Sequence, residues 1–462
     1  MQDLLTGYEV NAPTWFYLSL LLIIAVFFRF GRIWSLRNLD ILLLLSLAPG
    51  LLLSEPERLG ISVDEWPDRY HFLRTLGMSW LFGISGLVLV RLLCDSLFQR
   101  RPLIEPNLVA QGLVFLGVSA FAFVMSKVIV DPPSSSARAA VTQGEGVLRG
   151  QDIPPAEGGP TAAAAGAAAA AVAKWMAPDA VELAARIIPV IGHLAVVIGL
   201  YLVGRHHFRD RRQGVAMATL YLLIPCTTYD VGEVNHVLPA ALCVWAFVCV
   251  QRPLLAGALM GLACGSLVLL PVFLFLLPLW CVYYERKRGV LFALAVVGVG
   301  GALLVGVVAL TSPDVPLFSL RLSAAMDGVV REFQGNEITE GGAVVGFWNS
   351  GNLAYRIPVI VVFLVLLGVL TIWPRRKTFE HLISHSAALV VATQFWYSHQ
   401  GGIYVLWYLP LLLLVVFRPR LASVSARGTG GPGPGWYEPI GSHVPVGAGL
   451  GEDVKGLSRH DR

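Results

Sequence analysis

Four polar side chains that could bind a hydroxyl-rich substrate lie close together in the middle of the chain: Asp230, Glu233, Asn235 and His236. Asp230, Glu233 and His236 are spaced three residues apart, so they share one face if the segment is helical. A carboxylate at the mouth of a helical bundle can accept hydrogen bonds from sugar hydroxyls or bind a cation. The same spacing also occurs at a solvated helix end, and spacing alone leaves both interpretations open.

A second group of candidates lies in the polar stretch 54–75, which contains Asp64, Glu65 and Asp68. These carboxylates are general-base candidates, because a base must carry a side chain that can accept a proton from the reacting group. The same stretch contains rings that could stack on a sugar, namely Trp66, Tyr70 and His71. An acidic, solvated loop without chemistry is the alternative interpretation.

Other chemistry-bearing patterns point to packing or are missing from the sequence. His193 and His385 lie within apolar runs, where a neutral, hydrogen-bonded packing histidine is the favoured interpretation. We find no phosphate-binding glycine loop, no dinucleotide-binding glycine motif and no metal-ligand spacing. None of the six cysteines forms a CxxC motif, so we predict neither a metal site nor a disulfide framework. The formal net charge of +4 does not indicate a nucleic-acid partner.

The composition predicts that membrane helices position these residues. The 462 residues are 56% hydrophobic and only 14% charged, and apolar runs recur along the chain. A bilayer core about 30 Å thick is crossed by roughly 20 helical residues. We therefore predict an all-α, polytopic transmembrane bundle with large outer loops.

The segment 253–284 decides how many crossings this bundle has. Arg252 and Arg286 flank it, and positively charged short loops face the cytoplasm. Its 32 residues would form a helix about 48 Å long, which is too long for one crossing. We therefore predict a helical hairpin that turns between Gly265 and Pro271. With this hairpin the chain has about 13 spans.

Charge in the short loops predicts the orientation. Basic clusters recur at 29–37, 100–101, 205–212, 286–288, 375–377 and 418–420, and all of them are expected in the cytoplasm. The N-terminus is then outside and the C-terminus inside. The concentrated acidic and amide groups fall on the outer face.

Composition also divides the chain. Residues 1–130 are predicted to form N-terminal transmembrane helices with a first outer loop at 54–75, and residues 186–418 form the transmembrane core. Between them, 131–185 is rich in Ala, Gly and Pro, and we expect a poorly ordered outer loop with one helical piece and no function beyond linking. Residues 419–462 are Gly/Pro-rich and polar, which predicts a disordered cytoplasmic tail.

A series of short motifs resembles the core of the polytopic alpha-mannosyltransferase-like family, whose members are GT-C glycosyltransferases that use polyprenyl-phosphate sugars. The motifs are Gly232-Glu233-Val234-Asn235, Arg252-Pro253, Ala256-Gly257, Gly261-Leu262-Ala263 and Pro271, followed by a basic turn. Asn349-Ser350 and the aromatic turn ending at His399 are similar to later family features. The resemblance covers roughly 228–418. Glu233 stands where the family has Gln, and Val268 or an apolar neighbour stands where it has Lys.

This resemblance implies a GT-C-like fold and transfer of a mannose-like hexose from a polyprenyl-phosphate donor to an acceptor. The reaction would take place on the outer face of the cytoplasmic membrane, with membrane lipid and the lipid-linked sugar as partners and no cofactor besides that donor. Asp64 or Asp68 would be the base. The substrate-binding residues would be Asp230, Glu233, Asn235, His236, Asn349 and His399. The sugar, the acceptor, any need for a divalent metal and the oligomeric state stay open.

Two other classes of protein fit the same sequence. A non-catalytic membrane scaffold would explain the missing lysine. A lipid or solute transporter would explain a helix interrupted by Gly and Pro between Gly265 and Pro271, since broken helices occur in transporters. Few charged residues fall at mid-membrane depth, which favours the enzyme over the transporter.

Overall fold

The computed structural model describes residues 12–97, 104–151, 158–176, 180–266, 272–312, 314–334, 353–397 and 404–419. Within these ranges every regular element is a helix. The α-helices are α1 (Ala12–Phe27), α2 (Leu36–Leu45), α3 (Leu47–Ser54), α4 (Pro67–Leu93), α5 (Ala110–Val130), α6 (Ser135–Arg149), α7 (Gly159–Ala173), α8 (Ala180–His206), α9 (Arg211–Leu223), α10 (Pro225–Tyr229), α11 (Val234–Val248), α12 (Pro253–Cys264), α13 (Leu277–Tyr284), α14 (Arg286–Thr311), α15 (Val315–Gln334), α16 (Leu353–Ile372), α17 (Phe379–Thr393) and α18 (Val405–Phe417).

The prediction of an all-α membrane protein is confirmed. Six helices in the described ranges are long and apolar enough to cross a membrane: Leu36–Ser54, Pro67–Leu93, Ala110–Val130, Val181–His206, Arg286–Thr311 and Tyr355–Ile372. The other apolar helices, such as α1, α11 and α18, are shorter. The predicted number of about 13 transmembrane crossings therefore stays a prediction.

The last helix shows where the core lies. Every residue of α18 is buried, because this helix is apolar on all sides and such a helix belongs in the interior of a bundle. Its neighbour α17 is buried in the same way from Leu382 to Thr393. In contrast, the candidate spans α14 and α16 expose most of their apolar side chains, which is the pattern of helices that face lipid.

The segment 253–284 folds into two helical arms whose ends meet. Helix α12 forms the first arm, and a 3₁₀ turn (Val272–Leu276) with α13 forms the second. The Tyr284 hydroxyl donates to the Val250 carbonyl at 2.6 Å, which brings the two ends together as a hairpin requires. Each arm is only about 20 Å long, shorter than the bilayer core of about 30 Å.

The segment 131–185 differs from our expectation of a poorly ordered loop with one helical piece. It contains two helices, α6 and α7, packed against each other through glycines. A Cβ on Gly144 would lie 2.1 Å from the Ala167 nitrogen, and one on Gly166 would lie 2.0 Å from the Ala140 carbonyl oxygen. Small residues bury little area each, but they let two helix backbones approach closely. The Ala-, Gly- and Pro-rich composition of this segment does not predict that its two helices pack together.

A buried ion network ties together elements that are distant in sequence. Arg91 in α4 binds both carboxylate oxygens of Asp40 in α2, at 2.6 and 2.9 Å, and one oxygen of Asp95 at 2.9 Å. Arg418, which follows α18, binds Asp95 and also Glu380 at the start of α17. Charges are buried at acceptable cost only when they are paired and hydrogen-bonded. The network therefore fixes the relative positions of α2, α4, α17 and α18.

Candidate functional site

A cavity of about 460 Å³ opens among the ends of α3, α4, α5, α8 and α11. Its volume is within the range of small-molecule sites. It is lined by Ser54, Glu55, Arg74, Met78, Lys127, Val128, Asp131, Pro132, Pro133, Ser134, Ser135, Ala185, Pro189, Tyr229, Asp230, Val231, Gly232, Glu233 and His236. The lining thus combines four carboxylates, two cations and one imidazole.

The turn between α10 and α11 supplies three of the predicted site residues. The Glu233 amide donates to the Asp230 carbonyl at 3.1 Å, so the two residues close a turn, and α11 begins only at Val234. Asp230, Glu233 and His236 therefore do not share a helix face. The turn nevertheless brings all three to the cavity wall. The helical segment that a shared face would require is absent, and their role in substrate binding stays a prediction.

Serines at the start of α6 hold this turn in place. The Ser134 hydroxyl donates to the Gly232 carbonyl at 2.7 Å, and the Ser136 hydroxyl donates to Glu233 Oε2 at 2.7 Å. Ser136 Oγ also accepts from the Val234 amide at 3.2 Å. The sequence analysis missed these residues. The run Pro132-Pro133 followed by serines could have indicated a helix start here, because Ser is a preferred N-cap residue. In the structure Ser134 caps α6.

His193 supports the same turn from inside the bundle. Its Nδ1 lies 2.9 Å from the Tyr221 hydroxyl, and its Nε2 lies 3.0 Å from the Val231 carbonyl. The side chain is fully buried. Both ring nitrogens are thus satisfied, which agrees with the packing role that the sequence indicated. This histidine fixes Val231 and thereby the position of Asp230 beside it.

Aromatic rings hold His236 at the cavity wall. The imidazole stacks on Tyr404 with centroids 5.1 Å apart, and Tyr404 stacks on Trp407 at 3.8 Å. Trp407 Nε1 donates to the Asn235 carbonyl at 3.2 Å. His236 is 5% exposed, and within the described ranges its Nδ1 has no hydrogen-bond partner. A buried polar atom without a partner is unfavourable, so a bound ligand that reached this ring would stabilise it.

Of the remaining predicted site residues, the three that the structure describes, Asp64, Asp68 and Asn235, do not line the cavity. Asp64 and Asp68 are exposed, and the segment 54–75 contributes Glu55 instead. Glu55 directly follows α3 and Arg74 lies in α4, two helices that pack together, whereas Asp64 and Asp68 lie on the solvent side of the loop. Asn235 is not among the residues that line the cavity. Asn349 and His399 lie outside the described residues.

The cavity lies at the opposite end of the helices from the basic clusters. In α4, Arg74 lines the cavity while Arg91 lies near the other end. Helix α8 repeats this order, from Ala185 at the cavity to Arg205 in its last turn. The cavity thus lies at the end of α8 opposite the basic cluster 205–212, and at the end of α4 opposite Arg91.

The arrangement is suited to binding a polyhydroxylated substrate with an anionic group. Carboxylates and an imidazole accept hydrogen bonds from hydroxyls, while Arg and Lys bind phosphate oxygens. Glu55 and Arg74 come from the N-terminal part of the chain, and the turn from Asp230 to His236 faces them from the core. Among the residues that the structure describes, no three His, Cys, Asp or Glu side chains are grouped so that they could hold a metal ion.

Comparison with known proteins identifies the family. The sequence profile of glycosyltransferase family 87 matches residues 159–398, which is just over half of the 462 residues. This region runs from α7 to beyond α17 and includes the turn at Asp230 to His236. Comparison with curated proteins gives no match. The chain belongs to glycosyltransferase family 87.

Proposed function

We propose that this protein transfers a mannose-like hexose from a polyprenyl-phosphate donor to an acceptor, and that the cavity is its active site. The observation that carries the proposal is the composition of the lining. Carboxylates come from two distant parts of the chain, Glu55 and the Asp230–Glu233 turn, and Arg74 and Lys127 line the same cavity. A sugar with a phosphate leaving group requires both kinds of side chain.

In this proposal Glu55 is the general base. A base must come within about 2.6–3.2 Å of the proton that it removes, and Asp64 and Asp68 do not line the cavity, whereas Glu55 does. The carboxylate accepts the proton of the acceptor hydroxyl as the new bond from that oxygen to the sugar C1 forms. The bond from C1 to the phosphate oxygen breaks, and the lipid phosphate leaves with the electron pair.

The other lining residues have separate roles. Arg74 and Lys127 stabilise the negative charge on the departing phosphate, as positioned cations do in phosphate chemistry. Lys127 Nζ donates to the Thr228 carbonyl at 3.2 Å, which fixes its position beside the turn. Asp230, Glu233 and His236 bind sugar hydroxyls. Asn235, Asn349 and His399 remain predicted substrate-binding residues from the family resemblance.

The reaction is proposed for the outer face of the cytoplasmic membrane. The cavity lies away from the basic clusters, and loops rich in Lys and Arg face the cytoplasm. A lipid-linked donor would then reach the cavity from the outer leaflet, with the N-terminus outside and the C-terminus in the cytoplasm.

The experiment is sugar transfer by purified protein in detergent from a panel of radiolabelled polyprenyl-phosphate hexoses. Glu55→Gln should lower the rate by about 10²–10⁴-fold, the range for loss of a general base. Asp64→Asn and Asp68→Asn are matched controls in the same loop and should retain the wild-type rate. If one of these controls loses activity while Glu55→Gln keeps it, the base is that aspartate. If wild type transfers none of the sugars, the scaffold interpretation replaces the enzyme.

A further inference from the structure

Helix α15 carries an apolar stripe that the bundle only partly covers. Val315, Phe318, Leu322 and Met326 recur at intervals of three and four residues, which places them along one side of a helix. Phe318 and Leu322 are half-buried, while Val315 is 78% exposed and Met326 is 65% exposed. The neighbouring side of the helix carries Ser319, Ser323 and Asp327, all exposed. Leu320 is also exposed but lies off the stripe.

The position of α15 along the chain places it at a membrane boundary. The candidate span α14 starts with the basic triplet Arg286-Lys287-Arg288, which belongs at one bilayer surface. Roughly 20 residues cross the hydrocarbon core, so a crossing that begins after Arg288 ends close to Val308. Helix α14 ends at Thr311 and α15 begins at Val315. The start of α15 therefore lies at the level of the opposite surface.

Helix α15 turns away from the axis of α14 instead of continuing it. Arg321 Nη1 donates to the carbonyl of Thr311 in the last turn of α14. In a straight continuation the two residues would be about 15 Å apart along the axis, farther than an arginine side chain reaches. Asp314 forms the new helix start, because its side chain accepts from the Leu317 amide at 2.8 Å.

Both α14 and α15 expose apolar side chains near the point where the two helices meet. Leu294, Val297 and Leu310 of α14 are all more than half exposed, as expected for a helix that faces lipid. Leu310 lies one turn before Val315, the first exposed apolar residue of α15. Exposed apolar residues thus stand on both sides of the junction between the two helices, with the exposed Asp314 between them.

We propose that α15 lies in the interface of the bilayer, with the stripe Val315, Phe318, Leu322 and Met326 against lipid and Ser319, Ser323 and Asp327 toward water. Amphipathic helices at interfaces bury their apolar face about 5–10 Å into the boundary between headgroups and acyl chains. The hydrogen bond from Arg321 to the end of α14 keeps α15 next to this span, so α15 stays at the depth of the bilayer interface. The occupant of the stripe is lipid, not a protein partner.

The experiment compares two adjacent positions of α15 that face different surroundings. Met326→Cys and Asp327→Cys lie about 100° apart around the helix and are both exposed. Each variant is labelled with a nitrobenzoxadiazole maleimide and reconstituted into phosphatidylcholine vesicles, with and without nitroxide-labelled phosphatidylcholine. Wild type, labelled in parallel, gives the background from the six native cysteines. Gel filtration checks that each variant is folded.

The label at position 326 should show a blue-shifted emission, lose intensity with the nitroxide lipid and resist quenching by iodide in solution. The label at position 327 should behave in the opposite way. Iodide quenching at 326 as strong as at 327 would place the stripe in water and overturn the proposal. Protection of 326 from both quenchers would show a protein partner and overturn it as well. Val315→Cys repeats the test on the same stripe if Met326→Cys does not fold.

Discussion

The hydroxyl of Ser136 donates a 2.7 Å hydrogen bond to a carboxylate oxygen of Glu233, 97 residues away in the sequence. The same hydroxyl accepts from the amide of Val234. The N-terminus of α6 thus holds both the side chain of Glu233 and the start of α11. A segment rich in Ala, Gly and Pro is in this way part of the candidate active site.

We expect Ser136→Ala to impair sugar transfer as well as stability. The substitution removes the donor to Glu233, and a hydrogen bond to a charged group contributes about 1.5–3 kcal/mol. If Glu233 binds the sugar in the transition state, the rate falls about 10- to 100-fold. Ser136→Thr keeps the hydroxyl and should retain most of the activity.

The measurement is kcat and KM of both Ser136 variants with the polyprenyl-phosphate donor, together with their thermal unfolding. Ser126→Ala removes a half-buried serine whose hydroxyl donates within its own helix, to the Phe123 carbonyl, and serves as control. Equal activity of Ser136→Ala and wild type would refute a positioning role for this serine.

Gly144→Ala should destabilise the protein. Its Cβ would lie 2.1 Å from the Ala167 nitrogen, and this neighbour is backbone, so α6 and α7 would have to separate. Overpacking of this kind typically costs about 1–3 kcal/mol. Gly298→Ala in α14 is the matched control, because no atom lies within 4 Å of a Cβ there. The measurement is the midpoint temperature of thermal unfolding of both variants in detergent. Equal midpoints for the two variants would contradict the close packing of α6 on α7.

Asp95→Asn should be more damaging than any exposed charge change. Asp95 is 2% exposed and binds both Arg91 and Arg418, and breaking a buried pair costs about 3–5 kcal/mol. The exposed pair of Arg138 and Glu182 is the comparison, because such pairs contribute only about 0–1 kcal/mol. Thermal unfolding of Asp95→Asn and Glu182→Gln measures the difference. A loss for Asp95→Asn no larger than for Glu182→Gln would mean that the network does not tie the helices together.

Lys377 makes stability depend on pH in the alkaline range. It lies between α16 and α17, where burial lowers the pKa of its ammonium group from 10.5 to about 8. It donates to the carbonyls of Leu370 and Trp373 at the end of α16. Between about pH 8 and 10.5 the unfolded chain binds this proton more tightly than the folded one. The contribution of Lys377 to the free energy of unfolding therefore rises with pH through this window.

The measurement compares wild type with Lys377→Met, which removes the titrating group and keeps an unbranched side chain. The unfolding temperature of wild type minus that of the variant should increase from pH 7 to pH 10. A difference that stays constant or decreases over this range would show that the folded protein does not lower this pKa.

The sequence by itself determined the class of protein. Apolar runs long enough to cross a bilayer can form only helices or barrels there, because backbone groups have no water to bond with. The sequence also placed the two ends of 253–284 side by side. Arg252 and Arg286 flank this segment, positively charged short loops face the same side of the membrane, and the segment is too long for one crossing. The turn at Gly232-Glu233-Val234-Asn235 was also recognisable as a site, since its polar residues interrupt apolar runs. These are all local properties of the chain.

Only the tertiary structure decided which acidic residues share a cavity. Glu55, Asp64 and Asp68 lie within fourteen positions of one another and have equivalent chemistry. Only helix packing puts Glu55 at the end of α3 beside the turn at Asp230 and leaves the other two in solvent. Likewise, the Ser136 contact depends on the packing of α6 against α7. The glycines between these helices allow the two backbones to approach closely, and they add little hydrophobic area. Contacts between residues far apart in sequence depend on shape complementarity between helices, and hydropathy carries no information about that.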